Sequence, residues 1–482
     1  TLRHTLALED QGEDNRRPYW GTPVRQPASG RLSVPEETVG RNYNVADGGY
    51  GQDVLWGRSL LEWAPREGDH VRNTAYHYDA LRDYRNVERY RRTDDGDAVL
   101  RRGAFLQRHD QQVWGDRVDW THAGTPAGRP TQWAPGADVS YNRQTRFPLS
   151  IAGTVDTVPL DAVTPGRFLD VPGASLTYTP DRTNRLHTLA IYVENLTTLA
   201  PSLSLLTALR HERIGLDVVN HRAATPTNPP RFDHEYRPTT GRAALNWAFS
   251  ARASVYAQYS TAADPPAGVL STTSYATTRD FDLATGHQVE LGAKFQSRDG
   301  RSYATVAGYR IVRRNLAISD PANPGQILPV GQQSSRGVEV GFGWKPTGAL
   351  SIDGNLAWVD ACLDDFSETV NGAAVSRDGN TPANTPARVG NLWADYAFGE
   401  RWSAGMDLRA VSSRYANAAN TLSTAGYATW GAHVRWKTDP NGELILRGRN
   451  LGDRSYVSYA LNANMVYLGD PRSLELVWRR SF

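Results

Sequence analysis

Residues 472–482 read RSLELVWRRSF and form the most informative stretch of the sequence. Apolar side chains occupy alternate positions there, at Leu474, Leu476, Trp478 and Phe482. Glu475 and Arg479 stand between them. Because successive side chains of a β-strand point to opposite faces, this stretch predicts a strand with one apolar face, closing on an aromatic residue.

The same alternation recurs along the chain. It is clearest at 243–249, 289–295, 338–344 and 402–410, where every second residue is apolar. Repeated period-2 segments of this kind are typical of antiparallel strands that bury only one face. The sequence therefore predicts an all-β protein.

The connections between these segments alternate between short and long. The short ones are 64–69, 123–130, 197–200, 250–252, 298–301, 346–348, 399–401 and 438–441. The long polar ones are 10–50, 79–97, 144–184, 214–238, 262–285, 315–330, 362–385, 413–425 and 452–471. Short periplasmic turns and long extracellular loops characterise an outer-membrane barrel, and a soluble sandwich would not lengthen every second connection. We therefore predict an antiparallel transmembrane β-barrel with about eighteen strands. Its first strand, Thr1 to Glu9, would run outwards.

Composition excludes several other classes of protein. The 482 residues are 39% hydrophobic, with a mean hydropathy of −0.54, and no window approaches the ~18 consecutive apolar residues of a membrane helix. A net charge of +2 argues against a protein that binds nucleic acid through general phosphate attraction. The single Cys362 excludes an intramolecular disulfide. No zinc spacing or hydrolase motif is present, so neither a metal site nor a catalytic site is expected.

Four sequence motifs are more specific than the general pattern of a barrel. They are YSTAADPPAG at 259–268, GQQSSRGVE at 331–339, RNLGDRSY at 449–456 and GDPR at 469–472, and PDRTNR at 180–185 and TALR at 207–210 fit with them. Together they resemble the barrel of TonB-dependent ferric-siderophore receptors. The likeness extends over essentially the whole chain and is most specific in its C-terminal third.

The resemblance implies a receptor and transporter for ferric siderophores in the outer membrane of a Gram-negative bacterium, not an enzyme. It implies a monomer in contact with outer-membrane lipid and lipopolysaccharide, with the ferric siderophore as cargo and no resident cofactor. Family barrels have 22 strands and a plug. The expectation is therefore that residues 1–482 are barrel only, lacking the plug and first strands, and that the TonB–ExbB–ExbD complex acts through that plug. A plugless, porin-like diffusion channel and a surface adhesion or phage-docking barrel are the alternatives.

Arginine and aromatic residues suit the capture of bulky anionic chelates, through stacking and charge-assisted hydrogen bonds. One such cluster is predicted in an extracellular loop at 82–92, with Arg82, Tyr84, Arg85, Arg89, Tyr90 and Arg92. A second lies at 16–20, with Arg16, Arg17, Tyr19 and Trp20. The alternative is a solvated loop whose arginines bind lipopolysaccharide phosphates or nearby aspartates. Polar residues that alternate with lipid-facing ones are predicted to line the lumen, namely Glu290, Lys294, Glu339, Asp353, Asp407 and Arg409.

Overall fold

Antiparallel strands make up most of the computed structural model, which describes residues 1–25, 27–161, 163–226, 228–264, 270–280, 282–319 and 327–481. Phe482, the predicted aromatic end, lies outside these ranges. The strands of the described residues are β1 Leu2–Arg16, β2 Thr22–Pro23, β3 Gly30–Arg31, β4 Gly49–Trp63, β5 Asp69–Arg92, β6 Ala98–Gly124, β7 Thr131–Pro159, β8 Arg182–Ala200, β9 Leu203–Asn220, β10 Arg231–Tyr236, β11 Thr239–Ser250, β12 Ala253–Asp264, β13 Ala284–Gln296, β14 Ser302–Ser319, β15 Ile327–Trp344, β16 Leu350–Val370, β17 Ala373–Ser376, β18 Arg388–Ala397, β19 Trp402–Val411, β20 Arg414–Tyr415, β21 Leu422–Thr424, β22 Tyr427–Asp439, β23 Gly442–Arg449, β24 Val457–Asn462, β25 Met465–Leu468 and β26 Ser473–Arg480. The helical elements are α1, Tyr275–Asp280, and 3-10 turns at Glu36–Thr38, Pro126–Gly128, Phe168–Asp170 and Leu270–Thr272. Within the same ranges, no helix has the length and apolar character needed to cross a membrane.

Eighteen strands form one antiparallel meander, in which each pairs with the next of the set: β1, β4–β9, β11–β16, β18, β19, β22, β23 and β26. β10 continues the line of β11 along β9, and β17 pairs with the end of β16. As far as the described residues show, β1 pairs only with β4 and β26 only with β23. These two strands are the edges of the sheet. The predicted all-β antiparallel architecture of about eighteen strands is confirmed.

The sheet has an apolar face and a polar face. On β19, Leu408 lies opposite Leu392 and Trp430, whereas its neighbour Arg409 lies opposite Asn391. Near the short turns the apolar face carries the ring pairs Trp247–Phe249, Tyr396–Phe398 and Trp402–Trp436. Towards the long connections it carries His77–Trp114 and Tyr141–His187. An apolar band between two aromatic girdles is the lipid-facing surface of a membrane barrel, so the polar face is the inner one.

Several strands extend further than predicted. The turn predicted at 197–200 is wrong, because β8 continues to Ala200 and the chain reverses at 201–202. The long loop predicted at 79–97 is also wrong, because β5 runs to Arg92 and only 93–97 connect it to β6. β1 likewise continues past Glu9, to Arg16. Beyond the lipid neither face of a strand has to be apolar at every second residue, so the hydrophobic alternation that marks the strand disappears while its hydrogen bonding continues.

The long connections pack together into a cap, which we call the loop cap. Thr22 of β2 pairs with Val466 of β25, and Gly30 of β3 pairs with Leu422 of β21. The apolar core of this contact is formed by Val24, Leu32, Ala416, Leu422, Val457, Ala460 and Val466. The connection that follows β1 is therefore tied to the connections that precede β22 and β26, at the far end of the sheet.

Candidate functional site: an arginine row on the inner wall

Four basic residues face one another across four neighbouring strands. Arg82 of β5 pairs with His109 of β6, His109 with Arg146 of β7, and Arg146 with Arg182 of β8. We call these four residues the arginine row. Directly opposed residues have Cβ atoms about 5 Å apart, where like charges destabilise a sheet. A row of this kind is therefore unfavourable for folding and suited to an anion.

The arginine row lies on the inner face, above the lipid band. Arg82 shares the face of Tyr76 on β5, and His77, which stacks on Trp114, points to the opposite, lipid-facing side. On that outer side the next row towards the loops is polar, with Asp79, Gln112, Arg143 and Arg185 opposite one another. The apolar band has ended there, so the arginine row lies in the extracellular part of the barrel.

Much of the hydrogen-bonding capacity of the row is unused. Arg82 donates to the side chain of Gln52 at 3.2 Å, and Arg146 donates to the carbonyl of Thr272 at 3.4 Å. Among the described residues, Nε of Arg146 and Nε2 of His109 are buried without a hydrogen-bond partner. Within the described residues, Arg182 alone of the four has a carboxylate at ion-pair distance, since its Nε lies 3.1 Å from Asp181, and this carboxylate also favours the charged form of Arg146 from further away. Buried nitrogens that lack hydrogen-bond partners are rare in folded proteins, and here two of them belong to directly paired residues of one row.

Burial shapes the charge of the row. Desolvation, reinforced by Arg146 and Arg82, lowers the pKa of His109 to about 4, so this imidazole is neutral at pH 7. Burial also lowers the pKa values of Arg146 and Arg182, but a guanidinium remains charged at physiological pH. The row therefore presents three cations and one neutral imidazole.

Aromatic side chains border the row. The ring of Trp20, in the connection that follows β1, lies 6.3 Å from that of Tyr84, which is two residues beyond Arg82 on the same face of β5. The Tyr84 hydroxyl donates to Gln107, and burial raises its pKa to about 12, so it stays protonated. Tyr19 contacts Tyr467 of β25 edge to face at 6.0 Å. The loop cap thus brings flat apolar surface beside the cations.

Besides Asp181, a second acid, Glu88, lies close to Tyr84. Desolvation raises the pKa of Glu88 to about 7, against a smaller lowering by Arg89. Its Oε1 is buried without a hydrogen-bond partner in the described part of the chain. Below neutral pH the Glu88 carboxyl is therefore uncharged and does not offset the arginines.

The structure brings together only part of the predicted ligand residues. Arg82, Tyr84 and Trp20 meet at the row, whereas Tyr19 contacts Tyr467 and Thr22. The other six make local contacts: Arg16 with Asp14, Arg17 with the carbonyls of Asn42 and Asn44, Arg85 with that of Asp47, Arg89 with the Phe105 ring, Tyr90 with the Val87 carbonyl, and Arg92 with that of Gly96. Tyr90 is only 2% exposed, in the core beneath the loop cap. The segment 82–92 is a strand and not the predicted loop, so alternate residues have different surroundings.

Sequence reasoning missed His109, Arg146 and Arg182. Each stands alone in its own segment, among polar residues that look like ordinary loop. The sequence gives one indication of these residues, the motif at 180–185, which contains Arg182 and is part of the family resemblance. The register of four strands is needed to place them beside Arg82.

Comparison with known proteins decides the family. The model of the family described as TonB dependent receptor-like, beta-barrel, matches residues 5–451. The chain belongs to this family of TonB-dependent receptor barrels. Its members are transport receptors and not enzymes, and they place the protein in the outer membrane of a Gram-negative bacterium.

Curated relatives of this receptor barrel are siderophore receptors. The metal-pseudopaline receptor CntO of Pseudomonas aeruginosa PAO1 is 30% identical over 201 residues, 41% of this chain and 27% of that protein. The ferrioxamine receptor of Yersinia enterocolitica is 26% identical over 315 residues, 64% of this chain and 41% of that protein. The ferrichrome outer membrane transporter/phage receptor of Escherichia coli K12 is 27% identical over 256 residues, 52% of this chain and 32% of that protein. The chain thus spans well under half the length of each.

Solved structures share the fold. The siderophore receptor PiuA from Acinetobacter baumannii superposes with a TM-score of 0.86 at 20% identity, covering 99% of this chain and 72% of that chain. The closed form of the ferric-catecholate import receptor Fiu from Escherichia coli K12 superposes with a TM-score of 0.81 at 17% identity, covering 100% of this chain and 72% of that chain. At these identities the likeness concerns the architecture alone.

The predicted lumen residues lie on the inner face of the receptor barrel. Tyr256 donates to Glu290 at 2.6 Å, Tyr303 donates to Asp353 at 3.1 Å, and Arg409 donates to Asn391 at 3.3 Å. Lys294 lies 5.4 Å from the centre of the Tyr256 ring. Glu339 and Asp407 share this face, opposite Ala307 and Gly431. This wall is polar and hydrogen-bonded, as a surface in contact with water or with polar protein has to be.

Proposed function

We propose that this chain is the barrel of an outer-membrane receptor that captures ferric siderophores and imports them with energy supplied by the TonB–ExbB–ExbD complex. The arginine row carries the proposal. Three guanidinium groups with few carboxylate partners, beside the Trp20 and Tyr84 rings, suit a bulky ferric chelate that bears negative charge. Charge-assisted hydrogen bonds from guanidinium to anionic oxygen are among the strong ones in proteins.

Two further observations support this function. The relatives are named as receptors or transporters for metal-pseudopaline, ferrioxamine and ferrichrome, and each of these ligands is named for that relative alone. The row also lies on the extracellular side of the inner wall, where a chelate would arrive. In this proposal the cargo is the ferric siderophore, the chain holds no cofactor of its own, and the polar lumen wall contacts a plug through which TonB acts.

Titration of the purified receptor with a small panel of ferric chelates tests the binding step. The panel contains an anionic catecholate, an anionic citrate and a cationic hydroxamate complex, and the readout is quenching of tryptophan fluorescence. We expect the anionic chelates to bind more tightly. Arg146→Gln should weaken their binding roughly tenfold or more, since a hydrogen bond to a charged group contributes about 1.5–3 kcal/mol.

Arg143→Gln is the matched control, because Arg143 lies three residues away on the same strand and points to the outer face. It should leave chelate affinity unchanged. Equal affinity for the cationic complex, or equal losses in the two variants, would contradict the assignment of the arginine row.

A further inference from the structure

A short segment of the connection between β12 and β13 contacts the arginine row. It comprises the 3-10 turn Leu270–Thr272 and the helix α1, and we call residues 270–280 the strap. The turn packs against β7 and β8, the strands that carry Arg146 and Arg182. The carbonyl of Thr272 accepts a hydrogen bond from Arg146 at 3.4 Å. The strap thus places a polar oxygen at a guanidinium that, in the proposed function, binds an oxygen of the chelate.

Two kinds of contact hold the strap on the inner wall. Asn184 is fully buried, one row below Arg182 on the same face of β8. It donates to the carbonyls of Leu270 at 2.9 Å and Thr273 at 3.1 Å. Leu270, which is 3% exposed, packs against an apolar patch of this otherwise polar wall. The patch is formed by Leu186, Leu216, Val218 and Tyr236.

Polar atoms without partners lie on both sides of this contact. On the strap, the hydroxyls of Ser271 and Thr273 are buried and have no hydrogen-bond partner among the described residues. On the wall, the same holds for the side-chain oxygen of Asn184 and for Nε of Arg146. A buried polar group without a partner costs free energy comparable to the hydrogen bond that it lacks. The strap is therefore held less firmly than its burial suggests.

The strap depends on the wall for its structure and has open space beside it. α1 has six residues, too few for a helix that is stable by itself in water. A cavity of about 890 Å³ borders α1 and is lined by its residues Thr278 and Arg279. Arg237 and Pro238, at the break between β10 and β11, line the same cavity. The strap therefore has room to leave the wall while the strands stay paired.

We propose that the strap is an internal competitor of the chelate, which closes the arginine row in the empty receptor and is displaced when an anion binds Arg146. The inference rests on the proposed function and adds a regulatory element to the same site. A site that is open in only a fraction of the molecules binds its ligand more weakly by that fraction. Loosening the strap should therefore raise the affinity for the chelate, whereas a segment that closes on the ligand would lower the affinity when loosened.

Hydrogen exchange of residues 270–280, measured by mass spectrometry on the purified receptor, tests the displacement. The probes are ferric citrate and inorganic phosphate, and chloride at the same ionic strength is the control. We expect ferric citrate and phosphate to speed the exchange of the strap and chloride to leave it unchanged. Unchanged or slower exchange in the receptor that has bound ferric citrate would overturn the proposal.

Variants that each remove one anchor test the competition. Leu270→Ala and Asn184→Ala should speed the exchange of the strap without any ligand. Both should raise the affinity for ferric citrate roughly fivefold or more, as expected for a lost apolar contact or two lost neutral hydrogen bonds. Leu422→Ala is the matched control, because Leu422 is also 3% exposed but lies in the loop cap, and it should change neither quantity. Weaker binding of ferric citrate in both anchor variants would overturn the proposal.

Inorganic phosphate separates this inference from the proposed function. A receptor that binds no ferric chelate, but whose strap exchanges faster with phosphate, would contradict siderophore capture and support the strap as an element that anions displace. A receptor that binds ferric citrate while its strap exchanges as before would support the function and overturn the inference. A strap that responds to neither anion would overturn the inference as well.

Discussion

At the scale of single residues, the arginines in the extracellular part of this receptor differ in how many of their hydrogen-bond donors are used. Arg101, only 1% exposed, forms an ion pair with Asp156 and donates to the carbonyls of Tyr43 and Pro165, at 3.1 and 2.8 Å. It thereby ties two long connections to β6. The guanidiniums of the arginine row, by contrast, leave donors unused. The first arrangement holds structure together, and the second is available to a ligand.

Arg101→Met should loosen the extracellular end without unfolding the barrel. Removing the guanidinium leaves the carbonyls of Tyr43 and Pro165 without this donor, at a cost of about 1–3 kcal/mol for each buried group, whereas the Asp156 carboxylate, which is 41% exposed, is hydrated. We expect protease to cleave the connection between β7 and β8 much faster, as followed by mass spectrometry of the fragments. Arg102→Met, at the exposed neighbouring position, should leave cleavage unchanged. Identical cleavage of the two variants would show that Arg101 is not an anchor.

Glu88 should make stability depend on pH. Because its pKa is raised to about 7 in the folded protein, the folded state binds this proton more tightly than the unfolded state. The folded state is therefore favoured at low pH and loses on the order of 3 kcal/mol as pH rises from about 4.5 through 7. Glu88→Gln should raise the thermal unfolding midpoint at pH 8 and leave it little changed at pH 4.

A matched variant separates this effect from a general change of charge. Glu67→Gln, in the turn between β4 and β5, removes one carboxylate outside the site and should not alter the pH dependence. A Glu88→Gln receptor that follows the unchanged receptor at every pH would show that the carboxyl is already ionised well below neutrality.

At the scale of elements, strands were predictable where one face meets lipid. The alternations at 289–295 and 402–410 became β13 and β19, because lipid requires an apolar residue at every second position. The prediction missed the part of β5 beyond residue 79, because the strand packs there against the long connections and not against lipid, and arginine and tyrosine replace the alternation. The arginine row could not be predicted, because its members are separated by 27 to 37 residues and only the strand register brings them together.

The loop cap gives a prediction at this scale. Thr22 and Val466 are paired residues of β2 and β25, and paired Cα atoms lie about 4.5–5.5 Å apart, within the range of a disulfide. A receptor with Thr22→Cys and Val466→Cys should cross-link in high yield on mild oxidation, as seen by peptide mapping. The pair Thr22→Cys and Tyr467→Cys should cross-link poorly, because the neighbouring side chain points the other way. Equal yields would contradict the pairing of these connections.

At the scale of the whole molecule, the strands that the structure describes form a meander with two edges, β1 and β26. Backbone groups in the lipid core have to be hydrogen-bonded, so each edge needs a partner in the membrane, either the other edge or further strands. The family resemblance already implied the overall architecture, and the comparisons confirmed it. Function at this scale depends on whether the lumen conducts passively or moves cargo only when energy is supplied.

Accumulation of a radiolabelled ferric chelate by iron-starved cells tests that central claim most directly. The cells produce this receptor as their only siderophore receptor and carry or lack TonB. We predict accumulation in cells with TonB, binding without accumulation in cells without it, and a marked decrease of both at low chelate concentration in the Arg146→Gln receptor. Equal accumulation with and without TonB would contradict energised uptake and identify a porin-like channel. Cells that bind no chelate at all would leave surface adhesion or phage docking as the function.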